Sequence, residues 1–199
     1  MNNTNTKSWK KIRLSQYVHK TDGCLTLLSL FVLGIVAALL HLYMRVRGLS
    51  IPGHHGLELM TILLFGRMQS RYYWSAVVIA FGALTVFLSH TIFMPFGQTI
   101  KPAVFFLANA FILDCLFNVL PKKLPIIIKG MLFGGISSIV KPVIYIPIVI
   151  YLDVSFGSIT KHGFFIPILT HFIFGSIGAI CGITLANSVT NKMVTNSNE

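Results

Sequence analysis

Apolar residues fill most of the chain in long runs, and short polar or proline-containing breaks separate them. A helix needs about 20 mostly apolar residues to cross the hydrocarbon core of a bilayer. The runs predict spans at 24–44, 53–66, 73–91, 102–120, 125–152 and 163–187, the second being short. Pro102 and Pro121 bracket the fourth, and Pro142 and Pro147 predict a kink in the fifth. The expected fold is all-α: a basic segment 1–23, a six-helix membrane domain 24–187 and a polar tail 188–199.

Composition agrees with this pattern. Of 199 residues, 54% are hydrophobic and 11% charged, and mean hydropathy is +0.77. These values belong to a polytopic membrane protein. The 16 Lys and Arg against 5 Asp and Glu are then read as loop charges facing lipid headgroups rather than nucleic acid. Cys24, Cys115 and Cys181 are far apart and odd in number, which argues against a disulfide framework and predicts buried small hydrophobes. No small-residue cleavage pattern follows the first run, so it reads as an uncleaved span.

Charge placement sets an expected orientation. With both termini cytoplasmic, Lys7, Lys10, Lys11, Arg13, Lys20, Arg67, Arg71, Lys122, Lys123, Lys129 and Lys192 fall inside. Arg45, Arg47, Lys101 and Lys161 fall outside, and Lys141 lies within span five. That bias follows the positive-inside tendency. Helix direction then places His41, His54, His55, His90, His162 and His171 toward the outer side, with only His19 inside.

The break "LSIPGHHGLELM" sets Glu58 beside this imidazole group. In a helix starting at Gly53, Glu58 is four residues from His54 and three from His55. That spacing suits a two-ligand metal edge or a carboxylate that orients an imidazole. There is no HxxxH or HxxHH series of the kind found in histidine-rich di-iron oxygenases. Deeper in the spans lie Asn109, Asp114 and Lys141, whose burial in hydrocarbon calls for partners or a polar cavity. Asp114 and Lys141 either pair with each other or bind ligand; both readings stand. Ser137 and Ser138 are candidates to satisfy backbone freed by Pro142, and Asn118 and Tyr145 are read as core. Gly34/Ala38, Gly175/Ala179 and Gly178/Gly182 have small-xxx-small spacing, which serves internal packing or a partner helix.

The span pattern over 24–187 resembles the S components of energy-coupling factor transporters. The resemblance is carried by the first span with Gly34, Ala37 and Ala38, and by the outer loop "RVRGLSIPGHHG". It continues through the short span "LELMTILLFG" and the basic, aromatic turn in "GRMQSRYYWSAVVIAFGALT". It implies a six-helix subunit that captures a small solute, a vitamin or precursor rather than a metal. Energy would come from partners: a coupling membrane subunit touching Gly34, Ala37 and Ala38, and two ATPases. No Walker A motif is present. His54, His55 and Glu58 would belong to the covering loop and its helix. Asn109, Lys141 and His171 would contact solute, and His90 joins them as an outer-end candidate. The Met-His start of the cobalt and nickel branch is missing, since the chain begins Met1-Asn2-Asn3, and span one lacks a clean Ala-xxx-Ala series. No cofactor is implied. The basic residues Arg45, Arg47, Lys101 and Lys161 favour an anionic solute. The alternatives are an accessory subunit of a larger membrane complex, or a membrane enzyme holding metal on His54, His55 and Glu58.

Overall fold

The computed structural model describes residues 23–43, 53–90, 92, 96–120, 123–152 and 163–196. The basic segment 1–22 and the residues Arg45, Arg47, Lys161 and His162 lie outside this set. The described residues form helices and no strands. They make six rods: α1 (Gly23–Tyr43), α2 (His55–Gln69), α3 (Ser75–His90), α4 (Phe96–Val119), α5 (residues 126–152) and α6 (Phe165–Asn196).

Four rods contain segments long and apolar enough to cross a membrane: Gly23–Leu42, Pro102–Val119, Ile127–Pro147 and Phe165–Lys192. The apolar α3 has only 16 residues, and α2 has 15 and carries Glu58 and Arg67. At ~1.5 Å of rise per residue, each falls short of the hydrocarbon thickness of about 30 Å.

Several boundaries differ from the sequence pattern, among them the end of α2, which runs on to Gln69. The fourth helix starts at Phe96 and carries Pro102 inside it. The last helix runs beyond residue 187 to Asn196. Its polar end stays helical because short side chains turn back onto the helix: Ser188 donates to the Thr184 carbonyl and Thr190 to that of Ala186. The predicted kink in α5 lies ahead of its prolines. A π-helical stretch occupies Met131–Gly135, and the helix breaks again at Ile139. Pro142 has no N–H to give to the Ser138 carbonyl, so the preceding turn is the one that loosens.

Contacts along the helices give their relative directions. His41 meets Phe87, and Gly23 sits beside Tyr72, so α1 and α3 run parallel. Gly53 lies on His171, Thr61 donates to the Gly178 carbonyl and Gln69 to that of Ala186, so α2 and α6 run parallel. Phe87–Phe106 with Val77–Asp114 makes α3 and α4 antiparallel. Phe105–Tyr145 with Phe117–Phe133 does the same for α4 and α5. His41–Glu58, with Leu33 against Gly66, shows α2 descending beside α1. The six rods therefore alternate in direction. α2 touches both groups of helices, α1/α3/α4 on one side and α5/α6 on the other.

Small residues allow the parallel pairs to approach closely. A Cβ on Gly34 would fall on the Ile79 carbonyl, and one on Gly82 on that of Phe31. Ala37, Ala38, Ala76, Ala80 and Ala83 are buried around this crossing. Gly34, Ala37 and Ala38, expected to dock a partner subunit, are buried, and Gly34 lies against the α3 backbone. Across the second pair, Gly178 and Gly182 let α6 reach the α2 backbone at Leu57 and Thr61. The opposite face of α1 is an apolar stripe of Leu25, Leu28, Val32, Val36 and Leu39. Cys24 and Cys181 are free and exposed rather than buried, and Cys115 is half-buried. A small hydrophobe suits a lipid-facing surface as well as a core.

Replacing Gly34 with Leu overpacks the α1–α3 crossing and is expected to cost about 1–3 kcal/mol. Val36→Leu, on the exposed stripe, leaves stability unchanged. Unfolding titrations of the purified protein in denaturing detergent measure both.

Candidate functional site

Polar groups collect at the end of the bundle where α1 and α3 finish and α2 and α6 begin. The entry to α2 is shaped by Gly53, whose φ is +87° and which is buried against His171. A side chain there would oppose both the positive φ and the close approach to the α6 backbone. The turn closes with Gly56 donating to the Gly53 carbonyl at 2.8 Å and Leu57 to that of His54 at 3.1 Å.

One turn into α2, Glu58 Oε1 lies 2.7 Å from His41 Nδ1 and 3.2 Å from His55 Nδ1. All three side chains are half-buried. The His41 and His55 rings are 4.7 Å apart, His54 lies tilted against His55 at 3.9 Å, and His41 and Phe87 meet edge to face at 5.9 Å. A carboxylate oxygen only accepts, so each Nδ1 carries the proton and donates. In the neutral ring, each Nε2 keeps a free lone pair. His171 has the same tautomer, because its Nδ1 lies 2.7 Å from the Pro167 carbonyl oxygen.

His54 had been expected as the i,i+4 partner of Glu58. His54 instead occupies the cap position before α2, and the trio around the carboxylate is His41, His55 and Glu58. The sequence pattern places His41 among the outer histidines without marking it as a partner of Glu58. Its position in the last turn of a helix running toward this end was the available signal.

His171 lies within electrostatic range of His54, His55 and Lys141, linking the imidazoles to a second polar group. The Lys141 ammonium sits 5.9 Å over the Phe105 ring, and Phe105 packs on Tyr145. Asn109 is one turn beyond Phe105 on α4, and Lys141 is one turn before Tyr145 on α5. Because these helices are antiparallel, Asn109 and Lys141 fall level with each other. Asn109 is 6% exposed, and its Oδ1 has no hydrogen-bond partner among the described residues. Next to them, Ser138 Oγ serves the His171 and Gly135 carbonyls, so it ties α5 to α6 rather than satisfying backbone freed by Pro142. His90 closes α3 three residues past Phe87. Its Nδ1 is buried without a hydrogen-bond partner among the described residues, and it does not join the Glu58 trio.

The Asp114–Lys141 pair does not form. Asp114, fully buried, lies 2.8 Å from Arg67 Nε, and its Oδ2 accepts from Val77 N–H at 3.0 Å in the first turn of α3. Lys141 sits level with Asn109, five residues along α4 and therefore about 7 Å away in rise. Arg67, counted from sequence among inner-loop charges, is 4% exposed within α2. Its guanidinium also donates to Asn118 at 3.2 Å and to the Ser70 carbonyl at 3.4 Å, and it covers the Phe117 ring at 4.2 Å. The signal that could have found this pair was the helical pattern continuing past residue 66. Compared with known proteins, the chain matches no protein-family profile, no curated sequence and no solved structure.

Arg67→Ala leaves Asp114 buried and unpaired, with an expected loss of about 3–5 kcal/mol. The double replacement Arg67→Met with Asp114→Leu is markedly milder, because no charge stays behind. Melting curves of the two purified variants make the comparison.

Proposed function

We propose that this chain is the membrane-embedded capture subunit of an energy-coupled uptake transporter of the energy-coupling factor type. In this reading all six rods thread the membrane and both termini are cytoplasmic. The histidine end opens to the outside. Arg67, Arg71, Lys123 and Lys129 gather toward the cytoplasmic end, where Tyr72, Tyr73 and Trp74 are exposed as interface anchors. A coupling membrane subunit and two ATPases supply the energy.

The observation that carries the proposal is Lys141. His41–Glu58, His55–Glu58 and Arg67–Asp114 are ion pairs of the described residues, and none of these three includes this cation. An ammonium inside an apolar bundle is costly unless something bound there answers it. Level with it stands the unanswered amide oxygen of Asn109, with His171 adjacent. A small organic solute bearing a carboxylate fits these groups: its anion meets Lys141, and a hydroxyl or N–H meets Asn109. The turn at Gly53–His55 covers the entrance, with Glu58 fixing the imidazoles.

Lys141→Met tests this directly. It removes a charge-assisted contact worth about 1.5–3 kcal/mol, so affinity for the solute falls about 10- to 100-fold. The empty protein becomes no less stable, since a half-buried charge outside those ion pairs has been removed. Mass spectrometry of small molecules retained by gently purified wild type identifies the solute, and titration of the variant measures the loss. A carboxylate-bearing solute bound equally by wild type and Lys141→Met would overturn the assignment.

A further inference from the structure

We propose that His41, His55 and Glu58 form a binding site for a divalent transition-metal ion of the zinc class. The site is separate from the Lys141 pocket, and the proposal stands whether or not the uptake reading does.

The donor set is one carboxylate and two imidazoles, brought together from the end of α1 and the first turn of α2. One donor atom from each lies within 4.8 Å of the other two. In a tetrahedral zinc site with bonds of about 2.0–2.1 Å, neighbouring donor atoms stand about 3.3 Å apart. The separations from Glu58 Oε1, 2.7 Å to His41 and 3.2 Å to His55, are close to this. The two imidazole nitrogens need only modest side-chain rotation to close on a common ion.

Binding conserves protons. In the neutral rings, the proton that each Nδ1 donates to Glu58 moves to Nε2, and the freed Nδ1 lone pair takes the metal. One carboxylate and two neutral imidazoles select against Mg2+ and Ca2+, which require mostly oxygen donors, and against Cu(I), which prefers thiolates. Three protein ligands leave a position for water or for His54, whose ring centroid lies 3.9 Å from that of His55. The setting favours occupancy: Phe87 forms an apolar wall beside His41, and Gly53 seats the α2 entry on α6, so the donors project from fixed backbone. A bound ion would pin the outer end of α1 to the start of α2.

The test uses the full chain without a polyhistidine tag, purified in mild detergent and stripped with a chelator. Calorimetric titration with Zn2+ is expected to show one ion per chain with micromolar or tighter affinity, and excess Mg2+ does not compete. Co2+ in place of Zn2+ is expected to give the intense visible bands of a low-coordinate nitrogen and oxygen site. His41→Ala and Glu58→Gln each weaken binding by about 10- to 100-fold or more, while His90→Ala and Lys141→Met bind as wild type does. Zinc raises the melting temperature of wild type but not of the two ligand variants, so a variant that folds is separated from one that does not. Absence of zinc binding by wild type, or equal binding by His41→Ala and Glu58→Gln, overturns the proposal. Solute retention read on the same preparations reports on the Lys141 pocket alone, so the two assignments fail separately.

Discussion

Inside an apolar bundle, every ionisable side chain must be answered by the protein or by something it binds, and α2 is organised by that requirement. Arg67 near its end is matched by Asp114 of α4, and Glu58 near its start by His41 of α1 and His55. The nine residue steps from Glu58 to Arg67 rise about 13 Å. α2 is thus a short strut fixed electrostatically at both ends, with Met60, Leu63 and Leu64 fully buried between. The Asp114 carboxylate also accepts an amide from the first turn of α3, where the helix dipole favours negative charge. One buried acid therefore joins α2, α3 and α4, and the remaining helices pack around that junction.

The parallel pairs carry the arrangement to the opposite end. Because α1 lies along α3, His41 finishes beside Phe87. Because α2 lies along α6, Gly53 and His55 start beside His171. Parallel neighbours gain nothing from their helix dipoles, so contact must hold them together. Glycines at positions 34, 82, 178 and 182 bring backbones close enough for dispersion and for the Thr61–Gly178 hydrogen bond to do this. The polar cluster is a consequence of helix registers set elsewhere.

Much of this was legible in the sequence because apolar run length and helix direction are local properties. The six rods, their alternation and the pooling of His41, His55, His90 and His171 toward one end all follow from counting along the chain. Pairing was not legible. Asp114 has two candidate cations on neighbouring helices, and only the antiparallel register of α4 and α5 places Lys141 level with Asn109 instead. Arg67 was hidden by a boundary: the apolar run stops near residue 66, yet the helix continues to Gln69 because Asp114 accepts its charge. The extension of α6 was hidden for a related reason, since Ser188 and Thr190 look like loop residues until their hydroxyls bond to the helix. Small residues in α1 signal a close approach, and Gly34 makes one with α3, but their spacing does not name the helix that approaches.

His171 touches the elements that carry both polar groups. Its ring feels the charge of Lys141 from one side and the imidazoles of His54 and His55 from the other. Its backbone is fixed twice, by Ser138 of α5 at its carbonyl and by Gly53 at its amide and Cα. A displacement of α5 is passed to the α2 entry through the Ser138 contact. The π-helical stretch at Met131–Gly135 lies just below that contact, and Gly134 and Gly135 pack directly on Gly175, Phe172 and Ser176. That stretch is the part of α5 whose hydrogen-bond ladder is already irregular. A shift of register there changes the height of Ser138 and Lys141 together.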